Sequence, residues 1–134
     1  MKIAIAQIDP LVGDFKGNVA RILARAGEAR ARGCELVVFS ELVLSGYPPR
    51  DMLEKEDFVQ ANLDALNHLL DTVRGIAVIL GYVDRNPASA GKPLFNAAVL
   101  FENGRILHRA CGVRNLDYLF LTLRQESLEL LPPN

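Results

Sequence analysis

The sequence has no excess of positive charge, no long apolar run and little cysteine, and each shortage excludes a class of function. Its 134 residues carry fifteen Lys and Arg against sixteen Asp and Glu, a formal net charge of −1. Arg21, Arg25, Arg30 and Arg32 cluster, but on an Ala-rich helical pattern, where they read as a solvated face rather than a nucleic-acid footprint. No apolar run approaches the roughly 20 residues of a membrane span. Met1 leads straight into an apolar strand, without a signal-peptide layout, so a cytoplasmic location is expected. The two cysteines, Cys34 and Cys111, have no metal-ligand spacing and are expected as reduced thiols. His68 has Thr72, not a second ligand, four residues on. Neither cofactor nor metal is implied, and no nucleic-acid or membrane partner.

What is present is a globular composition, half of it apolar, in a length suited to one domain with a single core. The stretch that organises it is Leu36-Val37-Val38-Phe39-Ser40-Glu41, followed by Leu42 to Pro49 with its Gly46-Tyr47-Pro48-Pro49 turn. Four consecutive apolar residues suit a strand covered on both faces. Glu41 then stands at the carboxyl edge of a sheet, where open α/β folds place ligand sites. Spacing alone leaves two readings of Glu41 open, a functional carboxylate and an ordinary capping or solvated loop acid.

Ile3 to Ile8 form a first short strand, with Ile3, Ile5 and Gln7 on one face and Ala4, Ala6 and Ile8 on the other. Asn18 is a plausible N-cap for a helix running to about Arg32, and Gly33 suits its C′ position. A second amphipathic helix is expected from about Glu56 to Arg74. The pattern then changes to strands without helices, over 76–83, 94–101 and 105–109, with Asn103-Gly104 as a hairpin signal. The expected order is β-α-β-α-β-β-β, a mixed sheet with parallel strands first and an antiparallel meander after, both helices on one face. A nucleotide-binding α/β domain is the weaker alternative. Gly13 and Gly17 do not make G-x-G-x-x-G, and Glu41 would be the ribose-binding acid of that reading.

Taken together, Ile3-Ala4-Ile5-Ala6-Gln7, Phe39-Ser40-Glu41-Leu42, Ser45-Gly46-Tyr47-Pro48-Pro49 and Phe95-Asn96-Ala97-Ala98-Val99 before Asn103-Gly104 resemble the nitrilase (carbon-nitrogen hydrolase) superfamily. Within it, the Gly-Tyr-Pro-Pro-Arg-Asp form is most similar to the amino-terminal glutaminase domains of glutamine-dependent NAD synthetases. The resemblance covers Met1 to about Cys111. It implies a four-layer α-β-β-α sandwich, of which this chain holds the first half, and a Glu-Lys-Cys triad cleaving the side-chain amide of a substrate such as glutamine through a thioester. Glu41 maps onto the general base that takes the cysteine proton. Tyr47 is a candidate substrate contact, and Tyr118 falls on a family tyrosine that contacts glutamine.

The rest of the triad has no counterpart. Where the family lysine is expected the chain reads Gly112-Val113-Arg114-Asn115-Leu116, and Arg114 is a poor substitute for a lysine point charge. The nucleophile belongs to a later strand end. Cys111 precedes the lysine position and reads as an inert buried thiol, and Cys34 fares no better. The division expected is 1–111, the first half of a hydrolase domain, and 112–134, a divergent Leu-rich tail. The tail is either the product of a rearranged or prematurely ended reading frame, or a helix on Leu116, Leu119, Phe120 and Leu123 that covers a bare surface. Two functions follow. One is an amidase half-domain inactive alone, with an amide such as glutamine as ligand and a synthetase domain as partner. The other is a non-catalytic binding or structural module that associates with nitrilase-type partners or with copies of itself.

Overall fold

Residues 1–111 are described in the computed structural model, and they form one sheet with two helices. The strands are β1 (Ile3–Ile5), β2 (Leu36–Val38), β3 (Ala77–Arg85), β4 (Leu94–Glu102) and β5 (Arg105–Ala110), and they lie in the sheet in that order. Helix α1 (Phe15–Ala31) joins β1 to β2, and α2 (Glu56–Thr72), preceded by a short 3-10 helix at Arg50–Glu54, joins β2 to β3. The first three strands are parallel, and β3, β4 and β5 pair antiparallel. The expected mixed sheet and element order are therefore what the chain adopts. Asn103 and Gly104 both take positive φ, as the tight hairpin between β4 and β5 requires.

The alternation of side chains divides the sheet into two unlike faces. Val37, Val78, Leu80, Tyr82, Ala97, Val99 and Phe101 are buried in one cluster with Ile22 and Ala26 of α1 and Leu66 and Leu69 of α2. Ala4, Ala6 and Ile8 pack against the same cluster, so the small-residue face of the first strand is the one the helices approach. Both helices thus cover one face, as two crossovers of the same hand across neighbouring parallel strands require. On the opposite face Ile3, Leu36, Val38, Ile79 and Leu100 are only partly buried, and Ile5 is 67% exposed. One helix layer and one sheet make two layers of the four in the sandwich.

Three local expectations need correction. β1 and β2 are each three residues long, because β2 leaves the ladder after Val38 and β1 then has little to pair with; the Ala6 amide makes one further bond to the Val38 carbonyl, at 2.8 Å. The cap of α1 is Asp14, not Asn18: its Oδ1 accepts the Gly17 amide at 3.0 Å. Asn18 lies inside the first turn, fully buried. Its Nδ2 donates to the carbonyls of Leu11 (2.8 Å) and Leu44 (3.1 Å), and its Oδ1 accepts the Leu11 amide (3.0 Å). A capping amide would have tied down one helix end; this one ties the loop before α1 to the loop after β2. Third, α2 ends at Thr72 rather than Arg74. Val73 is already extended, while the Arg74 guanidinium folds back to the Leu70 and Val73 carbonyls.

Where β2 stops, β3 continues, and the Val83 backbone faces the gap. Asn62 of α2 fills it: its Nδ2 donates to the Val83 carbonyl at 2.6 Å and its Oδ1 accepts the Val83 amide at 3.2 Å. Asn62 is fully buried, so these bonds satisfy polar groups that would otherwise be costly to bury. The expected helix over Leu116 to Leu123 lies outside the described residues, and no helix among the described ones is long and apolar enough to cross a membrane.

Candidate active site

The loop after β2 straddles the sheet. Phe39 still bonds to the ladder, its amide donating to the Ile79 carbonyl at 2.8 Å, and its ring is buried on the helix side. Glu41 and Leu42 then cross to the other side. A Cβ added to Gly81 of β3 would lie 3.0 Å from the Glu41 Cα and carbonyl carbon, and Gly81 faces away from the helices because Tyr82 faces them. Leu42 takes φ +46°, a conformation unusual for a branched residue. Val43 and Leu44 return to the helix-side core, Asn18 holds the Leu44 carbonyl, and Ser45 accepts the Gly13 amide at 3.0 Å. Strain at Leu42 is thus overdetermined by contacts on both sides, as at many functional sites.

Glu41 is partly buried, and Asn96 of β4 meets it: the Asn96 Nδ2 donates to the Glu41 Oε1 at 3.3 Å, across 55 residues of sequence. Asn96 pairs in the ladder with Val83, on the same face as Gly81. The Asn96 Oδ1 is buried without a hydrogen-bond partner. The assignment of its amide is fixed by the carboxylate, since the reverse orientation would set two acceptors against each other. Tyr47 lies on the same loop as Glu41, six residues on and 62% exposed. Tyr118 and Arg114 lie outside the described residues.

Cys111 is not buried but exposed, and it lies on the helix side. It continues the alternation of β5, in which Arg109 is paired with the core residue Val99. Its thiol donates to the Asp84 Oδ2 at 3.6 Å; the same oxygen accepts the Tyr82 hydroxyl at 2.8 Å and lies 3.8 Å from the Arg109 guanidinium. Partial desolvation and then the Asp84 carboxylate push the Cys111 pKa up, against the thiolate a nucleophile needs. Burial, and then the bond to Asp84, likewise raise Tyr82. Glu41 and Cys111 are on opposite faces of the sheet. Cys34 is buried in the helix-side core. His68 donates only its backbone carbonyl to this account, as acceptor of the Thr72 hydroxyl, and no group of three or more His, Cys, Asp or Glu among the described residues is placed to hold a metal.

Sequence reasoning found Glu41 and missed the roles of Asn96, Asn18 and Asn62. The available signal was the same for all three: a polar amide inside an otherwise apolar strand or helix stripe, where only a specific partner makes burial tolerable.

A carboxylate at the end of the second parallel strand, held over the sheet face away from the helices, is the geometry expected from the resemblance. The carbon-nitrogen hydrolase pattern matches residues 2–119, and the chain belongs to that family. It is 33% identical over 109 residues to the glutamine-dependent NAD(+) synthetase of Thermotoga maritima, a match that takes in 80% of this chain and 18% of the relative. It superposes on the glutamine-dependent NAD+ synthetase of Acinetobacter baumannii with TM-score 0.74 at 25% identity, covering 81% of this chain and 20% of that one. An amidase from Nesterenkonia sp. shares the fold, with TM-score 0.69 at 24% identity over 85% of this chain and 43% of its own. The chain therefore spans about a fifth of the length of the synthetases it matches.

The close approach at Gly81 gives a direct test of how Glu41 is placed. Gly81→Ala should destabilise the chain by about 1–3 kcal/mol through overpacking against the Glu41-Leu42 backbone. Denaturant unfolding reads the loss, and the Asn96 side-chain amide resonance should move as Glu41 is displaced. A variant as stable as the parent would show that the loop yields freely.

Proposed function

We propose that this chain is the base-bearing half of a glutaminase-type amidase unit, with Glu41 as general base, Tyr47 and Tyr118 as substrate contacts, and residues 112–134 as a separate tail. The observation that carries it is Glu41 itself, at the carboxyl end of β2 and bonded to Asn96. The relatives' names supply the substrate class: an amide such as glutamine, whose nitrogen a synthetase domain of a cytoplasmic NAD-forming enzyme would use. By the family resemblance a lysine and a cysteine on further strands complete the site, so the chain alone is inactive. The test is a chimera in which residues 1–111 replace the matching part of the Thermotoga maritima relative. It should release ammonia from glutamine, and Glu41→Gln should abolish that release. A folded chimera whose activity survives Glu41→Gln would refute the assignment.

A second reading, as a module that associates with nitrilase-type partners or with itself, is favoured by the partly covered face of Ile3, Ile5, Val38, Ile79 and Leu100. Contiguous apolar surface of more than a few hundred Å² is unusual on monomers. Light scattering after size exclusion should find the 134-residue chain in oligomers. A stable monomer at high concentration, unchanged when 112–134 are deleted, would count against association.

A further inference from the structure

We propose that Asn96 completes an amide-nitrogen subsite beside Glu41, its Nδ2 holding the carboxylate and its Oδ1 accepting an N–H from the primary amide of the substrate. The proposal rests on the amidase reading above and names what that site grips. The observation behind it is an imbalance. Asn96 has used its donor on Glu41, and its acceptor is buried without a partner. By contrast, the other polar cluster near the sheet end, Tyr82, Asp84, Cys111 and Arg109, is satisfied internally. Buried acceptors in folded proteins are almost always satisfied, so an orphan beside a candidate general base marks where a donor belongs.

The chemistry of that donor follows from its neighbours. A carboxylate offers about four lone-pair sites, so Glu41 accepts from a ligand as well as from Asn96. The ligand then meets two acceptors side by side, a Glu41 oxygen and the Asn96 oxygen. A primary amide nitrogen carries two N–H groups on one atom and can reach both, whereas a hydroxyl offers one donor and a carboxylate none. The pair therefore selects the amide of glutamine over the carboxylate of glutamate, which would set its oxygens against both acceptors. Asn96 is also neutral. It orients Glu41 without the positive charge that would lower its pKa and weaken it as a base.

The experiment is nuclear magnetic resonance on the full 134-residue chain, with Glu41 assigned through Glu41→Gln and the Asn96 side-chain amide through Asn96→Asp. L-Glutamine should shift both the Asn96 amide and the Glu41 carboxyl carbon, and L-glutamate should shift neither. Asn96→Leu should weaken glutamine binding about ten-fold or more. Asn96→Asp keeps the shape but sets a second carboxyl against Glu41, and should raise the titration of the pair by about one pH unit or more; this reading stands whether or not the leucine variant folds. An unchanged Glu41 titration in Asn96→Asp, or undiminished glutamine binding in a folded Asn96→Leu, overturns the proposal while leaving Glu41 as an amide-site residue. Absence of any glutamine effect at Glu41 in the parent chain overturns the amidase reading, and the subsite with it.

Discussion

The 134-residue chain, purified by itself, should release no measurable ammonia from glutamine. Glu41 can accept a proton, but the structure supplies no thiol for it to activate. Cys111 is across the sheet, bonded to Asp84 at 3.6 Å, and its pKa is raised by desolvation and then by that carboxylate. Cys34 is enclosed among apolar side chains. Loss of the nucleophile in a comparable triad lowers kcat about a million-fold. Loss of a group that stabilises the developing oxyanion costs on the order of a hundred- to a thousand-fold by itself. The two do not multiply, and the first alone silences the site. A coupled ammonia assay, run beside trapping with a glutamine-like electrophile and mass spectrometry, reads both consequences: no turnover and no adduct. Ammonia release lost on Glu41→Gln, together with an adduct on Cys111, would make the short chain an enzyme and contradict the face assignment.

Gly46→Ala should cost about 2–5 kcal/mol, the largest loss expected of a one-carbon change in this chain. Two effects combine. Gly46 has φ +83°, where an L-residue pays about 1–2 kcal/mol. The added Cβ would also lie 2.6 Å from the Val12 amide nitrogen and Cα and 2.8 Å from the Leu11 carbonyl carbon, and backbone cannot rotate out of the way as a side chain can. Overpacking of this kind costs about 1–3 kcal/mol more. Separating the loops before α1 and after β2 would also strain the bonds from Asn18 to the Leu11 and Leu44 carbonyls. Urea or thermal unfolding measures the loss. Gly27→Ala is the control: an added Cβ there meets nothing within 4 Å, and its position inside α1 favours alanine by roughly 0.5–1 kcal/mol. Equal effects at the two glycines would rule out loop contact as the cause.

Most of the fold was legible because its signals are local. Apolar runs at Leu36 and Ile76, helical spacing between them and Asn103-Gly104 each specify structure within a few residues. Glu41 was legible for the same reason, as the residue where an apolar run stops. Asn96 was not, because its role depends on which face of β4 meets the loop after β2, a fact of register between segments 55 residues apart. Asn18 was misplaced as a cap because the local pattern of a polar residue before an apolar stripe fits Asp14 and Asn18 equally. Only the buried carbonyls of Leu11 and Leu44 separate them. Cys111 read as buried because cysteine usually is; its exposure follows from its position just beyond the end of β5.

The Asn62 bridge to Val83 has a consequence for aggregation. Where β2 ends, β3 would otherwise present an N–H and a carbonyl in register for an intruding strand, a template for pairing with another chain. Asn62 occupies both groups from the helix side, so a strand entering there would have to break two buried bonds before making its own. The outer edges are guarded by other means. β1 offers a ladder of three residues, and β5 carries Arg105, His108 and Arg109, charged or polar side chains that disfavour stacking of one sheet edge on another. Asn62→Leu would keep much of the volume and remove the plug, opening the interior notch as a nucleation point for strand exchange.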